Sequence, residues 1–133
     1  MDLLRAQEDL CRQIVERDGL ATCLGNQALV LSDRGDLDDA LRLLRTEETI
    51  CRELGDRRGI ARSLGNQAGI LRAQGRPLRA LRLLRNKERM CRQDDDPRGL
   101  TIALTNRASL LAERGNTRKA LRLAEEAHRI AVD

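Results

Sequence analysis

The stretch SLGNQAGILRAQG, residues 63–75, places a glycine and an asparagine in the middle of a sequence that otherwise has the pattern of a helix. Both residue types destabilise the interior of a helix relative to alanine. The segment LGNQA also occurs at residues 24–28, and the related segment LTNRA occurs at residues 104–108. The three copies lie 40 residues apart, and self-similarity at such a period predicts an array of repeated units.

Other positions keep the same 40-residue step. They include Gly35, Gly75 and Gly115, then Ala40, Ala80 and Ala120, and also Cys11, Cys51 and Cys91. The period divides the 133 residues into a half unit, residues 1–16, and three units, residues 17–56, 57–96 and 97–133. We expect these parts to form one repeat domain.

Each unit contains two helical patterns. Apolar residues recur at steps of three and four, as in Leu37, Leu41 and Leu44 of a second half and Leu64 and Leu71 of a first half. No segment has the alternating pattern of a strand. The connecting segments are short enough to make consecutive helices antiparallel neighbours. The predicted helices span residues 2–15, 19–33, 37–53, 57–73, 77–92, 97–113 and 117–131.

Residues that stop and start helices stand between these patterns. Asp96 before Pro97 is typical of an N-cap followed by proline at the first helical position, and Asp56 holds the same place one unit earlier. Glycine at the end of a helix favours the left-handed conformation that terminates it. The sequence predicts such ends at Gly35, Gly75 and Gly115. Asp36 and Asn116 then follow as predicted N-caps.

The spacing L-x-x-x-A-x-x-L-x-x-x-G-x-x-x-x-A-L resembles the tetratricopeptide repeat, and the resemblance covers essentially the whole chain. It is carried by Leu64, Ala68, Leu71, Gly75, Ala80 and Leu81. The period is 40 rather than 34, and leucines replace the family's aromatic residues. Longer-period variants with an asparagine on the first helix, as in kinesin-light-chain-type repeats, are more similar. The resemblance implies an all-α, right-handed α-solenoid of antiparallel helical hairpins with about seven helices. Its first helices would line a concave groove of the kind that commonly binds peptides.

The glycines and asparagines inside the first helices fall on the side that would face this groove. Gly65 and Gly69 have no side chain, so a peptide backbone can approach closely there. Asn66 offers both a donor and an acceptor to a peptide amide, and Asn26 and Asn106 repeat it as a ladder. A structural role is the alternative interpretation. In that case the asparagines bond across repeats, and the glycines permit tight helix packing.

Charge is distributed unevenly along the chain. Residues 57–93 contain 11 basic residues and one acidic residue, whereas residues 1–56 carry a net charge of −6 and the remainder is neutral. Arg62 and Arg72 are expected in or beside the groove, where guanidinium groups bind carboxylates in bidentate fashion. An acidic peptide segment or a C-terminal carboxylate is therefore the predicted partner. Nucleic acid is not expected, because the chain lacks aromatic residues for base stacking.

The sequence does not predict an enzyme, a cofactor or a metal site. The cysteines lack CxxC spacing, and only His128 could join them, whereas a zinc site needs four close ligands. A lone histidine without a partnered nucleophile is not a catalytic pattern. The glycines are separated by whole helices, so no phosphate-binding loop is expected.

The cysteines are expected to be reduced and buried. Cys11, Cys51 and Cys91 repeat at one helical position whose fourth counterpart is Ala131, which indicates a small buried side chain, and we expect Cys23 to be buried too. No secretory signal and no apolar run of about 18 residues is present, so a cytoplasmic protein without a membrane span is predicted.

The function predicted from these observations is a non-enzymatic scaffold that binds an extended, acidic peptide. Leu121 and Ala124 of the last helix would face a unit that the sequence does not contain. One explanation is that exposed ends stack on other copies and form homo-oligomers. Another is that the chain is a sensor fragment of a larger bacterial signalling ATPase or transcription regulator.

Overall fold

A computed structural model describes residues 3–132, without the side chain of Leu4. These residues form six α-helices and no strand, so the predicted all-α class is confirmed. The predicted start of the first helix at residue 2 lies outside the described residues. The helices are α1 (Leu3–Asp33), α2 (Leu37–Leu54), α3 (Arg57–Ala73), α4 (Pro77–Gln93), α5 (Pro97–Glu113) and α6 (Thr117–Val132).

The chain divides into two compact units, Met1–Ile60 and Ala61–Asp133. In the first unit α1 packs against α2, and in the second unit α5 packs against both α4 and α6. The chain has no aromatic residue, so aliphatic side chains fill both cores. Leu44 is fully buried in the first unit, and Leu84 and Leu104 are 1% and 0% exposed in the second.

Left-handed glycines end three of the helical segments, as predicted. Gly35, Gly75 and Gly115 have φ angles of +87°, +77° and +86°. Glycine adopts this conformation without the steric cost that a Cβ atom brings. The helices that follow begin at Leu37, Pro77 and Thr117, and therefore start 40 residues apart.

The predicted N-caps of α3 and α5 are confirmed. The Asp56 carboxylate accepts a hydrogen bond from the Gly59 amide at 3.0 Å, and Asp96 accepts one from Gly99 at 3.0 Å. Each bond satisfies one of the amides that a helix leaves without an internal partner in its first turn.

The caps before α6 and α2 differ from each other. Asn116 accepts a weak bond from the Lys119 amide at 3.4 Å. Asp36 stands at the N-cap position of α2, as predicted, but its side chain makes no cap hydrogen bond. Asp38 and Asp39 already place negative charge in the first turn of α2, where it interacts favourably with the helix dipole.

Glycine in the first turn of α5 is required by packing. A Cβ atom built on Gly99 would lie 2.5 Å from Oδ2 of Asp96 and 2.7 Å from Sγ of Cys91. The cap carboxylate and the buried thiol therefore occupy the space that a side chain would need. The repeated cysteine and the repeated glycine therefore pack against each other.

We expect Gly99→Ala to lower the free energy of unfolding by about 1–3 kcal/mol, because the methyl group displaces either the cap or the thiol. Gly69→Ala is the matched control. No heavy atom lies within 4 Å of a Cβ at Gly69, so this change is expected to stabilise α3 by up to about 1 kcal/mol. Urea unfolding followed by circular dichroism measures both. Equal effects of the two substitutions would contradict the packing argument.

The first two predicted helices form one continuous helix, so the prediction of a break at residues 16–18 was wrong. In the later repeats the break uses Gly55 (φ +70°) and Asp95 (φ +51°) as left-handed residues. Val15 stands at the equivalent position, and a β-branched residue strongly disfavours that conformation. Glu16 stands where Asp56 and its counterpart cap the next helix, and glutamate is not among the preferred N-cap residues.

Because α1 continues without a break, its first half has no packing partners among the described residues. Cys11 and Cys23 are exposed, which corrects the prediction that all four cysteines are buried, whereas Cys51 and Cys91 are 1% and 2% exposed as predicted. Although α1 contains 31 residues, neither it nor any other helix within residues 3–132 is long and apolar enough to cross a membrane.

Candidate functional site

The predicted groove residues of α3 share one side of that helix. Their spacings of three, four and seven residues place them within about one third of the helix circumference. We call this surface the α3 face; it consists of Arg62, Gly65, Asn66, Gly69 and Arg72, all in the second unit. Gly65 and Asn66 are half-buried, and the other three residues are exposed. The face is therefore accessible from solvent.

The predicted asparagines have no side-chain hydrogen bond within residues 3–132. Asn66 of α3 and Asn106 of α5 are half-buried in the second unit. Asn26 is exposed in the first unit, where it borders an open, mostly apolar cavity of about 380 Å³. The cavity is lined by Asn26, Gln27, Val30, Leu31, Arg34 and Leu43. Donors and acceptors of all three amides are thus available to a ligand.

Arg72 has an internal partner that sequence reasoning did not predict. It forms an ion pair with Glu113, which joins α3 to α5. The two side chains are 42% and 50% exposed, and exposed pairs of this kind contribute little to stability. A ligand carboxylate can therefore compete for Arg72 at low cost. The arginines of α4 at positions 79, 82, 85 and 89 are exposed, as expected for an outer helix.

The side of Gly65 that faces α4 is filled by a lysine. A Cβ atom built on Gly65 would lie 2.7 Å from Nζ of Lys87, and Lys87 itself is only 6% exposed. The absent side chain of Gly65 therefore makes room for a buried amino group at the edge of the α3 face. Sequence reasoning did not select Lys87 as a site residue.

The other units show that the two positions change together. In the first unit Gly25 covers Glu47, which is 1% exposed. In the last repeat, residues 97–133, Thr105 stands in place of glycine, and its counterpart 22 residues later is Ala127. Glycine therefore occurs where the opposing residue is long and charged, and a larger residue occurs where the opposing residue is alanine. This pairing explains the glycine inside each of the first two copies of the motif.

Lys87 is a buried cation without an ion-pair partner. No carboxylate of residues 3–132 lies within ion-pair distance of its amino group. Burial lowers the pKa of Lys87 from its ordinary value, and the nearby Cys91 thiol and Asp96 carboxylate offset this only in part. A buried charge that lacks a partner costs stability, and an anion supplied from outside removes that cost.

A second charged cluster holds the helices of the second unit together. Glu88 of α4 pairs with Arg107 of α5 and, at 3.0 Å, with Arg92, which also reaches Glu126 of α6 at 2.6 Å. Arg107 is 7% exposed, and its charge is compensated by Glu88. In this cluster each charge has an ion-pair partner, in contrast to Lys87, although the buried Nε of Arg107 has no hydrogen-bond partner among the described residues. Within residues 3–132, no three histidine, cysteine, aspartate or glutamate residues are arranged to hold a metal ion.

Comparison with known proteins identifies the family. Residues 19–93 match a tetratricopeptide-repeat family model, and residues 102–126 match a second one. The chain belongs to the tetratricopeptide-repeat family, as the sequence pattern predicted. The TPR domain of Arabidopsis FLU has the same fold, with a TM-score of 0.80 over 88% of this chain and 99% of that chain at 14% identity. No curated protein matches the chain significantly in sequence.

The family defines the general role of the protein. Tetratricopeptide repeats are as a class protein–protein interaction modules rather than catalysts. The protein is therefore an interaction scaffold built from TPR-like helical repeats, and its partners are proteins.

Proposed function

We propose that the α3 face binds an extended peptide and that Lys87 recognises the negative charge of a carboxylate group in this peptide. One observation carries the proposal: Lys87 is 6% exposed, has no ion-pair partner within residues 3–132, and lies at the gap that Gly65 leaves.

A carboxylate placed over Gly65 can approach the amino group because no side chain stands between them. The site is partly dehydrated, so the attraction between the two charges is stronger than at an open surface. The ion pair also removes the cost of the isolated lysine charge. Binding energy and specificity for an anion thus come from the same residue.

The neighbouring polar groups supply contacts for the rest of the peptide. Asn66 adjoins Gly65 and offers a donor and an acceptor to the peptide backbone, and Asn106 offers the same on α5. Asn26 offers the same groups to a peptide bound at the first unit. Arg62 and Arg72 add positive charge at the edge of the α3 face.

The charge of the chain favours an acidic partner over other anions. Residues 57–93 carry a net charge of +10, which attracts a negatively charged peptide. A C-terminal carboxylate or an aspartate or glutamate side chain has the required chemistry. Nucleic acid fits less well because the chain lacks aromatic residues for stacking. The cytoplasmic location and membership of a larger signalling protein remain predictions.

A peptide array tests the proposal. Each acidic peptide is printed beside its glutamine or asparagine form, and each free C-terminus beside its amide. We expect the wild type to prefer the charged forms, and the preference to disappear in Lys87→Gln. Binding that ignores the charge of the peptide would contradict the proposal.

The arginines of the face give a further prediction. We expect Arg62→Glu with Arg72→Glu to weaken binding of an acidic peptide at least tenfold, because the changes invert the charge around the site. Arg79→Glu with Arg82→Glu is the matched control, since these exposed α4 residues lie outside the α3 face. Fluorescence anisotropy with labelled peptide measures both. Equal losses in the two double variants would show that only net charge matters.

A further inference from the structure

We propose that two copies of the chain exchange the first half of α1, so that residues 3–15 of each copy pack on residues 15–27 of the other. We call residues 3–15 the arm. The exchange gives a symmetric dimer and does not depend on the proposed peptide site.

The arm has the sequence of a second helix but lacks its contacts. Its equivalents in the repeats are α2, α4 and α6, offset by 40 residues each. Cys11 corresponds to Cys51 and Cys91, which are 1% and 2% exposed, and Leu10 corresponds to Ile50, which is 5% exposed. In the arm, Cys11 is exposed and Leu10 is 58% exposed.

The second half of α1 has an exposed apolar side that corresponds to a covered side of α5. In the second unit, α5 packs against α4, and Leu100, which is 8% exposed, lies in one cluster with Cys91 of α4. The equivalent residue of α1, Leu20, is 50% exposed. This side of α1 is therefore built to receive a second helix, and none covers it within residues 3–132.

The α4–α5 pair indicates which residues would meet. Cys91 packs with Leu100 and Leu104 and fills the space beside Gly99, and Glu88 pairs with Arg107. The α1 helix keeps the apolar residue types, with Cys11 for Cys91, Gly19 for Gly99, and Leu20 and Leu24 for the two leucines. The ion pair is replaced by Glu8 and Gln27, which can form a hydrogen bond. Yet nothing lies within 4 Å of a Cβ atom at Gly19.

The residue at the predicted turn, Val15, favours packing of the arm on a second copy over packing on its own chain. Folding the arm back requires a left-handed residue at Val15, where the later repeats have Gly55 and Asp95. That conformation is unfavourable for valine, whereas a straight helix is not. Two straight helices can make the same antiparallel contacts between copies, with the two-fold axis near Val15, which is 70% exposed. Such an interface is isologous and closes at two subunits.

Charge does not oppose the exchange. Residues 3–20 contain three arginines and four acidic residues, so two such segments are nearly neutral and carry both signs. Arg12 already pairs with Asp9 along the helix, and Arg17 pairs with Glu53 of α2 in the same unit. The second half of α1 is thereby fixed to its own copy while the arm extends from it.

Sedimentation equilibrium tests the exchange. We expect the wild type to show twice the 15.0 kDa chain mass and to dissociate on dilution. Val15→Gly with Glu16→Asp restores the residues that make the turn in the next repeat, and we expect this variant to be a monomer. Val15→Leu with Glu16→Gln changes the same positions without restoring the turn and is expected to remain a dimer. A monomeric wild type, a mass that keeps growing with concentration, or a dimeric turn variant would each overturn the proposal.

A disulfide test fixes the register. In a Cys23→Ser background, Gly19→Cys places a thiol where Cys11 of the other copy is expected. Within one straight helix these positions are about 12 Å apart, too far to form a disulfide. We expect oxidation to give a covalent dimer that is lost when Cys11→Ser is added. A disulfide within one chain, or none in a protein that is dimeric, would contradict the exchanged arrangement.

Discussion

Glu88→Ala is expected to lower the free energy of unfolding by about 3–5 kcal/mol, because the substitution leaves Arg107 buried without a compensating carboxylate. The Arg107 and Glu88 side chains are 9% and 15% exposed, so water cannot replace the lost partner fully. Arg92 also loses one of its two carboxylate contacts, and the link between α4 and α5 is weakened. Thermal or urea unfolding followed by circular dichroism gives the difference.

Glu113→Ala serves as the control for this prediction. It removes the ion pair with Arg72, whose members are 42% and 50% exposed, and we expect a change below about 1 kcal/mol. If both substitutions had effects of similar size, burial would not be the reason for the loss. If Glu88→Ala left the stability unchanged, the buried cluster would not hold the second unit together.

Lys87→Met is expected to have opposite effects on stability and binding. Removing a buried charge that lacks a partner should raise the free energy of unfolding by about 1–2 kcal/mol, since methionine fills a similar space without desolvating an ammonium group. The same change should weaken binding of an acidic peptide by at least tenfold. If Lys87 served packing alone, its substitution would not weaken peptide binding while raising stability.

The pH dependence provides a second check on Lys87. Its pKa in the folded protein is lowered, so the unfolded chain binds more protons between that pKa and the ordinary value of 10.5. The free-energy cost of the lysine therefore decreases as the pH rises through this window. We expect the stability advantage of Lys87→Met to shrink as the pH approaches 10.5. An advantage that does not change with pH would mean that the charge is not its cause.

Most helix positions follow from the 40-residue period and its boundary residues. Left-handed glycines and aspartate N-caps act within one turn of the chain, so their effects can be predicted locally. The break expected in α1 did not occur because Val15 and Glu16 replace the residues that make it in the later repeats. Comparing these two positions between units, rather than relying on Gly19 and the period, would have predicted the continuous helix.

The candidate site was only partly predictable. Asn66, Gly69 and Arg62 lie on a common face, because helical periodicity alone decides which residues share a side. The contact between Gly65 and Lys87 depends on how two helices pack, and no local rule gives it. The sequence indicates this contact in one way: the two positions, 22 residues apart, change together between repeats. Glycine occurs with a charged residue, and threonine occurs with alanine.

The substitution Lys87→Glu tests whether Lys87 recognises a carboxylate at the α3 face. The first unit already accommodates glutamate beneath glycine, in the pair Gly25 and Glu47, so the variant is expected to fold. Fluorescence anisotropy measures the affinity for one acidic peptide from the array and for its uncharged form. Circular dichroism is the control for folding. We expect that the wild type binds the acidic form at least tenfold more tightly and that Lys87→Glu abolishes this preference. An unchanged preference in a helical Lys87→Glu protein would contradict it.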